Sequence, residues 1–217
     1  MIKHTIILGH GSGDPGAIGD RGRTERDELE KFGKRLKETI KSYGLPIQVI
    51  DDHNVLRKGN VVKYKGTSVT ELHFNAFNKA AIGTEVLIKQ GLKPDAMDKR
   101  LLDAMGLYFK SRGFKYRNDL GNMNKSATNG VNYRLVEICF IDNVGDMQVY
   151  DRHVGQIVIS LLKAITGQAL PAPKTIAPAK PVKKFYVQTG AFTVELNARE
   201  HLKEVRKTYP DAFIREG

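Results

Sequence analysis

The chain has 217 residues, 41% hydrophobic and 27% charged, enough for one domain of about 150 residues with a proper core plus something smaller, and unlike a disordered or fibrous protein. Its formal charge of +11 favours polyanions of any kind, including cell-wall polymers, acidic membranes and nucleic acid, without choosing among them. The single cysteine, Cys139, excludes an intramolecular disulfide, and its apolar setting LVEICFI reads as a small buried filler rather than a reactive thiol.

Taken in chain order, residues 2–8 (IKHTIIL) form a first strand. The run is too short to span a membrane and has no small-residue cleavage pattern, so it is read as neither signal peptide nor anchor. A helix is predicted over Glu25–Tyr43, where Leu29, Phe32, Leu36 and Ile40 recur every three to four residues and Gly44 and Pro46 end the pattern. Strands follow at Ile47–Ile50, 68–73 and 83–88. A second helix is predicted over 94–112, with Pro94 in its first turn, where the missing amide hydrogen costs nothing. Residues 117–132 are polar and rich in Asn and Gly, and read as a loop and candidate groove wall. Residues 135–141 are the most apolar strand, and 144–165 the last helix of the domain. Strands interleaved with amphipathic helices predict an α/β fold, a sheet covered by helices.

Composition changes after Gly167. Residues 168–184 contain Pro171, Pro173, Pro178 and Pro181 among alanines and lysines, with no acidic residue, and form a semi-extended linker. Beyond it, FYVQTGAF reads as a strand, 194–208 as a helix and 211–215 as a short run. The organisation is therefore a main α/β domain over 1–167, a linker over 168–184 and a small α+β segment over 185–217 that reads as part of a second domain.

The first chemical signal is GHGSGDPGAIG, directly after the first strand. Gly11, Gly13 and Gly16 satisfy a GxGxxG spacing, but Asp14 would face a pyrophosphate, Pro15 removes an amide donor and the helix starts late, so a dinucleotide site is rejected. The glycines instead make a turn that leaves His10 at the carboxyl end of a strand, where open α/β sheets bind ligands. His73 ends another strand, and Glu25 opens the first helix. Two imidazoles and a carboxylate make a zinc set with a fourth position for water. Each has a plainer reading: His10 as a turn hydrogen bond, His73 as a satisfied core histidine, and Glu25 as a favourable charge at a helix amino end. Glu28 and Glu30 compete for the carboxylate position. Glu137 interrupts the apolar run LVEICFI, where a carboxylate needs a partner or a nearby metal and could serve as a proton-transfer group. Its plainer readings are an edge strand that leaves it in solvent, or an ion pair with Arg134.

Together GHGSGDPGAIG, TERD, LHFNA and VEICFIDN resemble, in order and from end to end of the domain, the zinc-dependent N-acetylmuramoyl-L-alanine amidases of amidase type 3. The resemblance implies an open mixed β-sheet covered by helices, one Zn2+ held by His10, Glu25 and His73, and a catalytic Glu137. It selects Glu25 over Glu28, and it implies hydrolysis of the amide between the lactyl group of muramic acid and L-alanine of peptidoglycan by zinc-activated water. Asn75 and Asn143 match further motif positions, with turn hydrogen bonding as the alternative role. Cys139 stands where glycine is common, and the polar stretch 51–66 replaces a usual arginine-containing helical segment. The segment FYVQTGAF with its helix and DAFI is similar to the opening half of a SPOR domain, a module associated with glycan strands.

An apparent wall substrate without a leader peptide is similar to a phage or prophage endolysin, made in the host cytoplasm and released by a separate lysis system. The expected partner is peptidoglycan, with no nucleic acid and no integral membrane association; oligomeric state is not readable. The competing functions are a zinc peptidase acting within the stem peptide, and a noncatalytic basic module for cell wall or nucleic acid. The lysine-rich linker supports the second, yet it has no aromatic platform for bases.

Overall fold

A computed structural model describes residues 2–11, 13–51, 59, 61–170, 193 and 195–208. Within the unit formed by residues 1–176, six strands make one mixed sheet in the order β2-β1-β3-β6-β4-β5. The strands are β1 (His4–Leu8), β2 (Ile47–Ile50), β3 (Ser68–Asn75), β4 (Thr84–Lys89), β5 (Ser111–Arg117) and β6 (Asn132–Phe140). β1, β2, β3 and β6 run parallel, while β4 joins β6 antiparallel and carries β5 parallel to itself. β1 lies between β2 and β3, so the chain leaves it toward one neighbour and later returns on its other side. Such a switch point opens a crevice at the carboxyl ends of the strands.

Alternation along the strands sorts side chains onto two faces. Ile6, Leu8, Leu72, Phe74, Val86, Ile88, Val136 and Ile138 belong to the larger core, packed under α1 (Glu25–Tyr43), α2 (Ala96–Gly106) and α4 (Val144–Thr166). On the opposite face Ile7, Val69, Leu87, Tyr133 and Leu135 pack with Met123 of α3 (Gly121–Thr128) and with Val61 and Tyr64 of a short 3-10 turn, Val61–Tyr64. Helix α1 forms over the predicted residues because both ends are closed: Thr24 accepts the Asp27 amide, and Gly44 takes the left-handed conformation at φ 63°. Cys139 is fully buried against Met147, as its setting predicts.

Two expectations are corrected. The helix predicted over 94–112 ends at Gly106, and residues 111–117 form the edge strand β5. The apolar period of Leu101, Met105 and Phe109 continues past the glycine, but Phe109 packs from a turn, and the Lys110 carbonyl already accepts the Thr84 amide. The edge is lined with Arg112, Lys115 and Arg117, charges that discourage further strand pairing. The stretch predicted as a loop over 117–132 contains α3, which has poor intrinsic helix formers and is held by tertiary contacts of Met123, Asn122 and Ser126, all buried. Pro94 precedes the helix; the cap is Asp95, which accepts the Met97 and Asp98 amides at 2.7 and 2.9 Å.

A buried charge cluster ties α2 to the sheet. Arg134, 0% exposed, donates to Asp98 at 2.7 Å, to Asp95 at 2.9 Å and to the Asn132 side chain at 2.7 Å. Beside it His4 is held between Ser68 and Thr70, and burial, assisted by Arg134, pushes its imidazole down to about 3. In the second unit, residues 177–217, helix α5 (Glu195–Thr208) carries an Arg199–Glu195 ion pair one turn apart. The FYVQTGAF strand, most of the linker and the 211–215 run lie outside the described residues, as do 52–58 of the polar stretch before β3.

Candidate metal centre

The glycine-rich turn after β1 places His10 at φ 60°, a left-handed conformation uncommon for a residue with a side chain. Gly16, at φ 66°, lies so close that a Cβ there would come within 2.6 Å of the His10 ring and 2.7 Å of Glu25. Gly9 plays a similar part toward His73, whose ring occupies the space a Cβ would need, at 2.3 Å. Glu25 is the first residue of α1, and its buried carboxylate reaches over the sheet end. One oxygen accepts the Ala17 amide at 3.0 Å and lies 3.0 Å from His10 Nε2; the other accepts the Phe74 amide at 2.9 Å and lies 2.8 Å from His73 Nδ1. The two imidazoles meet edge to face, with centroids 4.9 Å apart.

His10, Glu25 and His73 therefore each offer a ligand atom, all within 4.8 Å of one another. Donors at about 2.0–2.2 Å from a single Zn2+ would have to lie within about 4.4 Å of one another, so the set suits that ion after a small contraction. Glu28 and Glu30 do not take part. Glu28 is held by Arg23 and Lys31 at 2.8 Å each, and Glu30 by Arg26 at 2.6 Å.

Glu137 stands directly across from His73 in the β3–β6 register and from Glu85 in the β6–β4 register. Its strand is interior to the sheet, which corrects the edge-strand reading. Arg134 is no partner for it either, since the residues project to opposite faces and Arg134 is consumed by Asp95 and Asp98. The Glu137 Oε2 atom is buried and accepts no hydrogen bond. Burial, with Glu25 and Glu85 adding to it against the opposing pull of His73, pushes this carboxyl up to about 7. Glu25 behaves oppositely: burial works against its charge, but hydrogen bonding to both histidines outweighs it and holds the carboxyl at about 2. Burial likewise opposes protonation of His73, yet Glu25 and Glu71 raise it well above its ordinary value. The cluster has the electrostatics of a site built for positive charge, with one orphaned carboxylate oxygen beside it.

Three acidic residues around this centre escaped the sequence reading. Asp14 lies 2.9 Å from His10 Nδ1, and Glu71 lies 2.9 Å from His73 Nε2. Glu85 accepts from Asn75 at 3.0 Å and from Arg112 at 2.8 Å, completing a row of His73, Glu137, Glu85 and Arg112 across four adjacent strands. Glu71 was signalled by its place two residues before His73, the same-face spacing of a strand. Asn75 and Asn143 make turn hydrogen bonds: Asn75 Oδ1 accepts the Ala76 amide, while Asn143 caps α4 and donates to the Lys79 carbonyl. With Asp142, which accepts the Phe77 and Lys79 amides, Asn143 fastens the β3–β4 loop beside the site.

Comparison with known proteins accords with this geometry. The family described as N-acetylmuramoyl-L-alanine amidase matches residues 5–167. A probable autolysin PH of Staphylococcus aureus (strain NCTC 8325 / PS 47) is 31% identical over 226 residues, covering 93% of this chain and 46% of the relative; the chain thus spans about half the length of that curated protein. Among solved structures, the catalytic domain of the CD27L endolysin targeting Clostridia Difficile superposes with a TM-score of 0.63 at 23% identity, covering 79% of this chain and 100% of that one. The N-acetylmuramoyl-L-alanine amidase of Clostridium difficile 630 gives 0.62 at 17% identity, covering 76% and 96%. At these identities the structural likeness is one of fold.

Proposed function

The chain belongs to the N-acetylmuramoyl-L-alanine amidase family, and on that premise we propose that it hydrolyses the amide between the lactyl group of N-acetylmuramic acid and L-alanine in peptidoglycan, with one Zn2+ held by His10, Glu25 and His73. The observation that carries the reading is Glu137, placed across from His73 with an unsatisfied buried oxygen and a carboxyl raised to about 7. A zinc ion in this set supplies Lewis acidity toward the amide carbonyl and lowers the pKa of water from about 15.7 to about 7. Glu137 takes the proton from the attacking water as the carbon–oxygen bond forms. It then returns that proton to the alanine nitrogen as the carbon–nitrogen bond breaks. Glu25, anchored by two backbone amides, keeps the donor set from shifting during the cycle.

Two finer readings belong to the same proposal. The protein acts as a lytic enzyme of endolysin type, released to the wall by a separate lysis system, and its C-terminal segment contributes glycan binding. No described helix is long and apolar enough to cross a membrane. The deciding experiment digests purified peptidoglycan and identifies the products by mass spectrometry. Free L-alanine amino termini are expected, and Glu137→Gln is expected to lose about 10²–10⁴-fold in rate while keeping its zinc. Products cut within the stem would make the enzyme a peptidase, and a Glu137→Gln protein of normal rate would remove Glu137 from the mechanism.

A further inference from the structure

Both histidines of the centre use both ring nitrogens, and in opposite senses. His10 turns Nε2 to Glu25 and Nδ1 to Asp14; His73 turns Nδ1 to Glu25 and Nε2 to Glu71. A neutral imidazole has one N–H and one lone pair, so the nitrogen that donates to the outer carboxylate leaves the other as the metal donor. We propose that Glu71 is a positioning residue that locks His73 as its Nε2–H tautomer with Nδ1 presented to the metal, while Asp14 holds His10 in the converse tautomer. This rests on the metal role of the triad proposed above.

The environment of Glu71 carries the inference. It is 4% exposed and lies on β3, two residues before His73, on the face away from the larger core. One oxygen meets His73 Nε2 at 2.9 Å; the other accepts from Asn122 Nδ2 at 2.8 Å and from the Tyr133 hydroxyl at 2.7 Å. These donors hold the carboxylate in the orientation that faces His73. Two donors on that second oxygen favour the ionised carboxylate, which can only accept, and this places the proton on the shared contact at His73 Nε2. Tyr133 comes from β6 and Asn122 from α3, so two further elements are recruited to hold one ring. Outer carboxylates of this kind orient a ligating imidazole and raise its basicity, and losing one typically lowers metal affinity 10–100-fold. Asp14 also accepts the Gly16 amide, but its side chain is 49% exposed, so its hold on His10 is weaker.

The test measures zinc affinity by competition with a chromophoric chelator and reads the tautomers by long-range 15N–1H NMR of the zinc-loaded protein. The expected spectrum shows His73 ligating through Nδ1 with a retained Nε2–H, and His10 the reverse. Glu71→Gln is expected to bind zinc 10–100-fold more weakly with unchanged circular dichroism, Tyr133→Phe several-fold more weakly, and Asp14→Asn less weakly than Glu71→Gln. A spectrum in which His73 ligates through Nε2, or unchanged affinity in both Glu71→Gln and Tyr133→Phe, overturns the proposal while leaving the metal centre standing. Failure of the unsubstituted protein to bind zinc overturns the centre and the proposal together. Should Glu71→Gln not fold, Tyr133→Phe and the spectrum of the unsubstituted protein decide the matter.

Discussion

Two polar clusters are buried on opposite faces of the same sheet, and they are closed to different degrees. Around Arg134 one guanidinium meets two carboxylates and an amide, with His4 neutral beside it, so each charge is answered within the protein. Around His73 the carboxylates of Glu25, Glu71 and Glu137 crowd two imidazoles, and an oxygen of Glu137 has no hydrogen-bond partner. A protein that only needed stability would close the second cluster as it closes the first, because an unanswered buried acceptor costs about 1–3 kcal/mol. The difference separates a structural tie from the cluster proposed above to hold a cation.

The comparison can be broken most forcefully at Arg134. Arg134→Met strands Asp98 in the interior and is expected to cost about 3–5 kcal/mol in urea unfolding, with the proposed wall-digesting activity of the folded protein retained at low temperature. Lost activity in a well-folded variant would show that the two clusters are coupled. His4 gives a smaller effect that depends on pH. Its folded value of about 3 lies below the ordinary 6.5, so the stability it permits is complete above pH 6.5 and is lost as pH falls toward 3. Between pH 7 and 4.5 that loss amounts to about 2.5 kcal/mol, and the curve of His4→Gln should be flatter by that amount. An equal slope in both proteins would place the acid sensitivity elsewhere. The smallest effect is expected at Glu28, three residues from Glu25 on the same helix but neutralised by Arg23 and Lys31. Glu28→Gln, which keeps an acceptor for Arg23, should cost about 1 kcal/mol and leave zinc content unchanged; a lost metal would redraw the boundary of the site.

How much of this was legible in the sequence varies with the range of the forces involved. Helix α1 lies where its period, cap and terminal glycine put it, because those signals are local. Strand β5 and helix α3 were missed for the converse reason. β5 hides behind a helical period that outlasts its helix, and α3 is held by contacts with residues far away in the chain. The triad members were each visible as candidates, but no spacing rule distinguishes Glu25 from Glu28 before α1 is docked and Arg23 has taken one of them. Glu137 could be recognised as an anomaly in an apolar run; that its strand is interior, and that Arg134 faces the other way, required the sheet order.

The left-handed backbone of His10 has a thermodynamic consequence. An unfolded chain seldom visits φ 60° at a histidine, and residues 10, 25 and 73 are far apart along it, so the complete donor set exists only in the folded state. A cation that binds the folded form alone adds RT ln(1 + [M]/Kd) to stability, about 2.7 kcal/mol at a hundred times its Kd. With the proposed metal bound, the melting temperature of the domain would gauge metal supply, and a chelator would act on the protein as a mild denaturant.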